Sequence, residues 1–253
     1  RADRPEGVRC RRGSGSVVHR SRLRSSTEHL SKVGYASGPV SFMRVADASA
    51  GTIKSGGKTR RAAKMVVLDV DHPDVEEFIW CKAKEERKAR VLESAGYDMS
   101  LDSSDWASIQ YQNANNSVRV SDTFMEAARE GREFNLTART DGAVVSTVDA
   151  RELLRQIASA AWECADPGVQ YDTTINAWHT LPNTRRLNAS NPCPEYMSID
   201  NSACHLASPH LLEVSRADGE RHVPASRHGC IVRAPPPATR SAAVASPAAS
   251  APR

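Results

Sequence analysis

The sequence has few aromatic residues, no long apolar run and no marked excess of charge of either sign. Aromatic residues make up 5% of its 253 residues, and 34 basic residues face 30 acidic ones, which gives a formal net charge of +4. So small an excess does not by itself indicate a nucleic-acid partner. The apolar runs, such as residues 65–68, are far shorter than the roughly 20 residues that span a membrane. With 40% hydrophobic and 25% charged residues, the composition is that of an ordinary globular protein.

The six cysteines form no CxxC pair and match no Cys/His spacing of a structural zinc site. The N-terminus is rich in arginine and lacks the apolar segment of a secretory signal, which predicts a cytoplasmic protein. Cysteines in that compartment are usually free thiols that pack as small apolar residues. We expect this of most of the six, with Cys193 and Cys204 as exceptions.

Composition divides the chain into three zones. Residues 1–12 are rich in arginine and show no apolar periodicity, so we expect a basic tail there. After Glu220 there is no acidic residue, and residues 234–253 are dominated by alanine, proline and serine. Such a composition cannot bury enough apolar surface to offset chain entropy, so we predict a disordered tail over 215–253. The structured domain is expected over 13–214.

Strand and helix patterns alternate within the middle zone. A β-branched run predicts a buried strand, and Asp71-His72-Pro73 then supplies an N-cap and an early proline for the following helix. The predicted strands cover 64–70 and 117–120, and the predicted helices cover 75–84, 122–132 and a segment from about Thr147 to the Pro167-Gly168 pair. This alternation predicts an α/β architecture with parallel strands.

Amide side chains are concentrated in two parts of the chain. Residues 110–117 hold five of them in eight positions, and further asparagines crowd the segment from Asn183 to Asn201. Asn-rich stretches are often turns. The alternative is a polar pocket that hydrogen-bonds a ligand with many hydroxyls, such as a nucleotide or a sugar. The sequence favours neither interpretation over the other.

Asn191, Cys193 and Glu195 place an amide, a thiol and a carboxylate within five residues. The prolines that alternate with them exclude a helix and stiffen the turn, so a rigid loop can present all three side chains to one small substrate. The thiol can act as a nucleophile or a hydrogen-atom carrier, the carboxylate as a general base and the amide as an orienting donor. Further along the chain, Cys204 offers a second thiol that can supply electrons.

This segment resembles the finger-loop motif Asn-Pro-Cys-x-Glu of ribonucleotide reductases. Residues 38–43, 109–119, 162–176 and 178–180 look like the adenosylcobalamin-dependent branch of that family. The similarity extends over most of the chain, in the family's order. It implies that residues 13–214 form part of the ten-stranded α/β barrel of ribonucleotide reductases.

The resemblance assigns a role to each residue of the constellation. Cys193 would carry a thiyl radical that removes the 3′ hydrogen of the ribose, Glu195 would act as base on the 3′ hydroxyl, and Asn191 would hydrogen-bond the sugar. Cys204 matches one of two cysteines that reduce the substrate after water leaves. Homolysis of the cobalt–carbon bond of adenosylcobalamin would generate the radical. The implied activity is the vitamin B12-dependent reduction of ribonucleoside diphosphates to deoxyribonucleotides for DNA synthesis, with triphosphate substrates left open.

Substrate and effector sites are implied in the same way. The substrate-binding residues implied are Gly15, Asn191, Pro192, Cys193, Pro194 and Glu195. Residues 21–26 resemble the first allosteric loop, in which Arg24 matches the arginine that contacts the effector phosphate. Residues 55–61 resemble the second loop, with Lys58, Arg60 and Arg61 as its basic residues. A glycine pair beside such residues can contact a phosphate, although a solvated basic turn is the commoner meaning of the pattern.

The implied partners are a ribonucleotide substrate, a deoxynucleoside triphosphate effector, a thioredoxin-type reductant and a second copy of the chain, without nucleic acid or membrane. The sequence also departs from the family. Val17 stands where a third glycine is expected before the first loop, and a β-branched residue tolerates a positive φ poorly. Pro194 replaces a small residue, and His205 replaces an asparagine. Nothing matches the partner of Cys204 or the second half of the barrel, which predicts an internal piece with atypical ends.

Three functions remain to be weighed. The first is the reductase, and the second is a nucleotide-binding fragment of it that keeps parts of the effector loops without turnover. The third, a cysteine-dependent hydrolase, is disfavoured because no histidine is placed to activate Cys193. The nearest candidates, His179 and His205, stand in family contexts with other roles or none.

Overall fold

The computed structural model describes residues 16–30, 34–52, 64–101 and 103–202. The two predicted tails and several predicted site residues lie outside these ranges, namely Gly15, Lys58, Arg60, Arg61 and Cys204. All the elements given below belong to one compact unit that ends at Asp200.

The described part of the chain alternates strands and helices. In chain order its elements are β1 (Ser16–His19), α1 (Gly38–Thr52), β2 (Lys64–Asp69), α2 (Val75–Ser94), a 3-10 helix (Asp105–Ser108), β3 (Asn115–Val120), α3 (Asp122–Glu130), β4 (Glu133–Thr137), β5 (Val144–Asp149), α4 (Ala150–Cys164), β6 (Gly168–Tyr171), α5 (Asp172–Ala177), β7 (Leu187–Ser190) and β8 (Met197–Ile199). Among these described helices, none has the length and apolarity that a membrane span requires.

Four strands form one parallel sheet in the order β1-β2-β3-β6. Val17 lies opposite Met65, Met65 opposite Asn115, and Ser117 opposite Gly168. Parallel neighbours need a crossover connection, which is usually helical, and here α1, α2 and the segment from α3 to α4 stand between successive strands of the sheet. The predicted α/β class with parallel strands is confirmed, and both predicted strands are present as β2 and β3.

The face of the sheet that packs on the helices, called here the outer face, forms the main core. Because side chains alternate along a strand, Val66 and Leu68 of β2 point to this face. Their apolar neighbours come from β3 and from the helices, and include Val118, Val120, Phe78, Ile79, Phe124, Leu153 and Ile157.

The opposite face, called here the inner face, carries the other residues of the same strands. Met65 and Val67 pack there with Val17 and with Ala189 of β7. Burial of β2 from both sides explains why residues 65–68 are apolar without alternation. Val17 lies in the extended backbone of β1, a conformation that β-branched residues favour.

Helix α2 starts at the predicted residue but has a different cap and a greater length. Its N-cap residue is Asp74, which makes no capping bond and accepts hydrogen bonds from Ser26 instead. The N-cap predicted at residues 71–73 was therefore wrong. The helix continues to Ser94, beyond the predicted end at 84. Its second half is rich in charge and lacks an apolar stripe, and there Lys88 pairs with Glu85 one turn away.

The two later helices are shorter than predicted. The helix predicted from Thr147 begins at Ala150, because the residues before it belong to β5, which pairs antiparallel with β4. Asp149 caps that helix by accepting a hydrogen bond from the Glu152 N–H at 2.9 Å. The helix predicted over 122–132 ends at Glu130, since Gly131 has a φ of +72° and takes the left-handed conformation.

Candidate active site

The predicted constellation lies in the turn of a β-hairpin. Strands β7 and β8 pair antiparallel, and residues 191–196, called here the thiol turn, connect them. The N–H of Asn191 donates to Tyr196 O at 3.0 Å, and the N–H of Tyr196 donates to Asn191 Oδ1, also at 3.0 Å. These two bonds close the turn.

The thiol turn presents its reactive groups to the surroundings. Cys193, Pro194 and Glu195 are exposed, whereas Asn191 and Pro192 are half-buried. Cys193 is a free cysteine, so its thiol is available to a ligand. The structure thus holds Asn191, Cys193 and Glu195 on one closed turn, and their catalytic roles stay a prediction.

The end of the hairpin remote from the thiol turn is fixed by buried polar side chains at the carboxyl edge of the sheet. Arg119 Nη2 of β3 donates to Leu187 O at 2.5 Å. The N–H of Leu187 donates to Asn176 Oδ1 of α5 at 2.9 Å. Arg119 Nε also donates to Asp172 Oδ1 at 2.5 Å, and Arg186 pairs with the same carboxylate. This end therefore has both its backbone groups and its charges satisfied.

The middle of β7 combines an apolar and a polar contact. Ala189 packs on Met65 and Val67 of β2. Ser190 is completely buried, and its hydroxyl accepts a hydrogen bond from Gln170 Nε2 of β6 at 2.9 Å. Strand β7 is therefore fixed against the inner face at two neighbouring residues.

The thiol turn itself is tied to the amino end of β3. Asn115 Nδ2 donates to Pro192 O at 2.8 Å. Asn115 belongs to the amide-rich segment 110–117, and its neighbours also bond within the protein. The N–H and side chain of Asn113 bond to Asp47, and Asn116 is buried with its Nδ2 near Cys81 Sγ. These contacts favour the structural interpretation of that segment over a ligand pocket.

The described cysteines differ in accessibility. Cys81 is buried, and burial raises the pKa of its thiol to about 12, which leaves it protonated and unreactive at neutral pH. Cys164 is half-buried, and burial also raises its pKa. The expectation of a buried free thiol is confirmed for Cys81. Of these described thiols, Cys193 is the exposed one.

The predicted first effector loop is fixed to the carboxyl end of β2. The N–H of Asp69 donates to Ser21 Oγ at 2.6 Å. Ser26 donates to the Asp74 carboxylate from its N–H at 2.8 Å and from its hydroxyl at 2.9 Å. Arg24 lies between these two attachments and is exposed. The loop therefore holds its arginine outward, as an effector contact requires.

His72 is hydrogen-bonded to this loop, and Gly38 lies against Ser26 and Asp74, which attach the loop. His72 Nε2 lies 3.0 Å from Leu23 O, and its Nδ1 accepts from the N–H of Asp74 at 3.0 Å. Because a carbonyl only accepts, Nε2 carries the proton and the ring is neutral. Burial lowers the pKa of His72 and favours the same form. Gly38 has a φ of +70°, and a Cβ there would lie 2.6 Å from Asp74 Oδ2, so only glycine fits.

Glu28 joins the first loop to the end of the β4 segment. Its carboxylate accepts hydrogen bonds from the N–H groups of Ser25, Arg139 and Thr140 and from the Thr140 hydroxyl. Burial alone would raise the pKa of Glu28, but these hydrogen bonds outweigh it and lower the pKa to about 2. The loop is thus held by a carboxylate that stays ionised.

The residues that hold the hairpin were not predicted as site residues, namely Arg119, Gln170 and Asn176. One signal was present, because Arg119 stands between two valines of a predicted buried strand, where a charged side chain needs a buried partner. The partners of Arg119 could not be predicted from the sequence, because Asp172 and Leu187 follow 53 and 68 residues later.

The described strands and helices form a mixed α/β domain with a parallel sheet. Residues 6–229 match the family model described as the ribonucleotide reductase barrel domain. This match covers most of the chain, and the chain belongs to that family.

Curated relatives agree with this assignment. The vitamin B12-dependent ribonucleotide reductase of Streptomyces coelicolor is 62% identical over 215 residues, which make up 85% of this chain and 22% of that protein. The protein of the same name from Rhodopirellula baltica is 53% identical over 82% of this chain and 20% of its own length. The vitamin B12-dependent ribonucleoside-diphosphate reductase of Mycobacterium tuberculosis is 33% identical over 83% of this chain and 27% of its own length. The chain spans about a fifth to a quarter of the length of these relatives.

Proposed function

We propose that the chain forms part of the catalytic barrel of a cobalamin-dependent ribonucleotide reductase, with residues 13–214 as its barrel segment. The reaction proposed is the reduction of ribonucleoside diphosphates to deoxyribonucleotides. The observation that carries the proposal is the exposed thiol of Cys193 on a closed turn, held against the inner face of a parallel sheet. The names of the relatives support the cofactor and the substrate class.

Each of the three residues of the turn, Asn191, Cys193 and Glu195, has its own role in the proposed reaction. Cys193, as a thiyl radical, takes the hydrogen atom from C3′ of the ribose, so that the C3′–H bond breaks and an S–H bond forms. Glu195 accepts the proton of the 3′ hydroxyl, and Asn191 donates a hydrogen bond to the sugar through Nδ2, since its Oδ1 is used in closing the turn. The 2′ hydroxyl then leaves as water. A thiol pair that includes Cys204 supplies the proton for that water, a second proton and two electrons, and becomes a disulfide. Cys193 returns its hydrogen atom to C3′ and is again a radical.

Adenosylcobalamin, when bound, supplies the radical that Cys193 receives. The fit of this chain to that role rests on exposure, because a buried thiol like that of Cys81 could not be reached by so large a cofactor. Cys193 is exposed, and Tyr196 of the same turn is 41% exposed, so the turn that carries the thiol also has an accessible aromatic residue. These two residues would face the cofactor.

The remaining site residues and partners belong to the same proposal. Gly15, Pro192 and Pro194 complete the substrate contacts. Arg24, Lys58, Arg60 and Arg61 contact a deoxynucleoside triphosphate effector, and the outward position of Arg24 on a fixed loop supports this. A thioredoxin-type protein restores the thiols, two copies of the chain associate, and the reaction takes place in the cytoplasm.

The test is Cys193→Ser in a version of the protein as long as its relatives. A hydroxyl cannot replace a thiol as hydrogen-atom carrier, so deoxyribonucleotide formation from the four ribonucleotides, with adenosylcobalamin and a dithiol, should fall by at least a thousandfold. Cys164→Ser changes a half-buried thiol away from the turn and is the matched control, with turnover close to wild type. Turnover of Cys193→Ser within tenfold of wild type would remove Cys193 from the role.

The same assay on residues 1–253 separates the reductase from the nucleotide-binding alternative. We expect this chain to bind ribonucleotide without sustained turnover, because no residue upstream of β1 matches the partner of Cys204. Sustained formation of deoxyribonucleotide would show that the chain supplies its own reducing pair.

A further inference from the structure

A continuous series of hydrogen bonds, buried as far as Ser190, leads from Arg119 to the backbone carbonyl of Asn191, two residues before Cys193. Arg119 Nη1 donates to Gln170 Oε1 at 3.0 Å, and Gln170 Nε2 donates to Ser190 Oγ at 2.9 Å. Ser190 Oγ in turn donates to Asn191 O at 3.0 Å. The exposed fractions of Arg119, Gln170 and Ser190 are 2%, 3% and 0%, so these three side chains have little access to water, whereas Asn191 is half-buried.

The guanidinium at the head of the series fixes the direction of every bond in it. An arginine side chain only donates, so Gln170 must present its carbonyl to the guanidinium and its amide N–H to Ser190. Ser190 therefore accepts from Gln170 and directs its own proton to Asn191 O. The guanidinium cannot turn away, because Asp172 and a backbone carbonyl of β7 hold it as well.

We propose that Gln170 and Ser190 are positioning residues that set the place of the thiol turn through this directed series. The inference rests on the proposed function, in which the thiol of Cys193 is the reacting group. Asn191, the last acceptor, is also the residue whose N–H and Oδ1 close the turn on Tyr196. A bond lost at Asn191 O therefore loosens the turn locally and leaves the outer face untouched.

Two substitutions test this in the 253-residue chain. Ser190→Ala removes the donor to Asn191 O. Gln170→Glu keeps the size of the side chain, but a carboxylate only accepts, so Ser190 turns its proton toward position 170 and abandons Asn191 O. Both should speed hydrogen exchange of the Asn191 and Tyr196 amides by about fivefold, the scale of one lost hydrogen bond. Amides of β2 and β3 should exchange at the wild-type rate.

Two further variants make the test specific. Asn135→Asp makes the same amide-to-carboxylate change at an exposed residue, whose Oδ1 accepts from the Thr147 hydroxyl at 2.9 Å, and should leave the thiol turn unchanged. The double variant Gln170→Glu/Ser190→Ala should exchange within twofold of Ser190→Ala alone, because no hydroxyl remains to be reversed. Additive effects would mean that the two residues act separately.

The inference is overturned if the turn amides keep their wild-type exchange, or if β2 and β3 accelerate equally, since the residues would then serve only general stability. In a version as long as the relatives, both variants should lower kcat with KM unchanged, and a raised KM alone would place them in substrate binding instead. The hydrogen-exchange results require no activity and do not depend on Cys193→Ser, so this inference and the proposed function fail separately.

Discussion

The two faces of the parallel sheet are held by different physical means. The outer face buries valine and leucine side chains against helices, with Phe78 and Phe124 almost without exposure. Among the described residues, the inner face carries fewer apolar contacts than the outer face and holds the hairpin through Arg119, Gln170 and Asn115. Apolar burial is strong but has no direction, whereas hydrogen bonds add little net stability and fix orientation. Stability and positioning are thus assigned to opposite faces.

The largest effect is expected on the outer face. Phe78→Ala leaves a cavity among tightly packed helices and should lower the free energy of unfolding by about 3–5 kcal/mol, measured by urea denaturation followed by circular dichroism. Lys84→Ala, on the exposed side of the same helix, is the control and should change it by less than about 0.5 kcal/mol. A loss below about 1 kcal/mol for Phe78→Ala would contradict the assignment of stability to this face.

Lowering the pH should weaken the polar attachments, such as those made by Glu28, before it affects the apolar packing of the outer face. The pKa of Glu28 is lowered from 4.5 to about 2 in the folded chain. Its stabilisation is therefore complete above pH 4.5 and is lost as the pH falls from about 4.5 to about 2, and with allowance for solvent screening it amounts to about 2 kcal/mol.

Glu28→Gln isolates this contribution, because glutamine keeps the shape but does not titrate. Unfolding free energies of the wild type and of Glu28→Gln, measured from pH 2 to pH 6, should differ most at pH 6 and converge near pH 2. Parallel curves would show that Glu28 is not the group responsible. The cost of Phe78→Ala should be the same at both ends of this range.

The smallest effect is expected at the thiol turn. Asn115→Ala removes one exposed hydrogen bond to Pro192 O and should lower the free energy of unfolding by about 0.5–1 kcal/mol, again measured with urea. Asn135→Ala removes an exposed amide from the remote β4–β5 hairpin and is the matched control. A loss of unfolding free energy above about 2 kcal/mol for Asn115→Ala would contradict the division of roles between the two faces, since an inner-face contact would then contribute substantially to stability.

Structural features that depend only on neighbouring residues were predicted from local patterns in the sequence. The apolar run of β2 and the alternation of Asn191, Cys193 and Glu195 with prolines each carry their signal within a few positions, whereas the end of α3 at Glu130, before the left-handed Gly131, was not predicted. Strand β5 was missed because nearly all of its side chains are exposed, so it lacks the alternation of a half-buried strand. The role of Arg119 in holding the hairpin and the partner of Asn115 were not predicted, because their bonds reach Leu187 and Pro192, 68 and 77 residues away.

The long sequence separations between bonded residues also predict an order of folding. Strands β7 and β8 are close in sequence and can pair with each other early, whereas the contacts of the hairpin with β3 close loops of 68 and 77 residues, at an entropic cost that grows with loop length. Arg119 and Gln170 face β7 together only after β3 and β6 have paired. The thiol therefore reaches its final place last, when the sheet that holds it is already assembled.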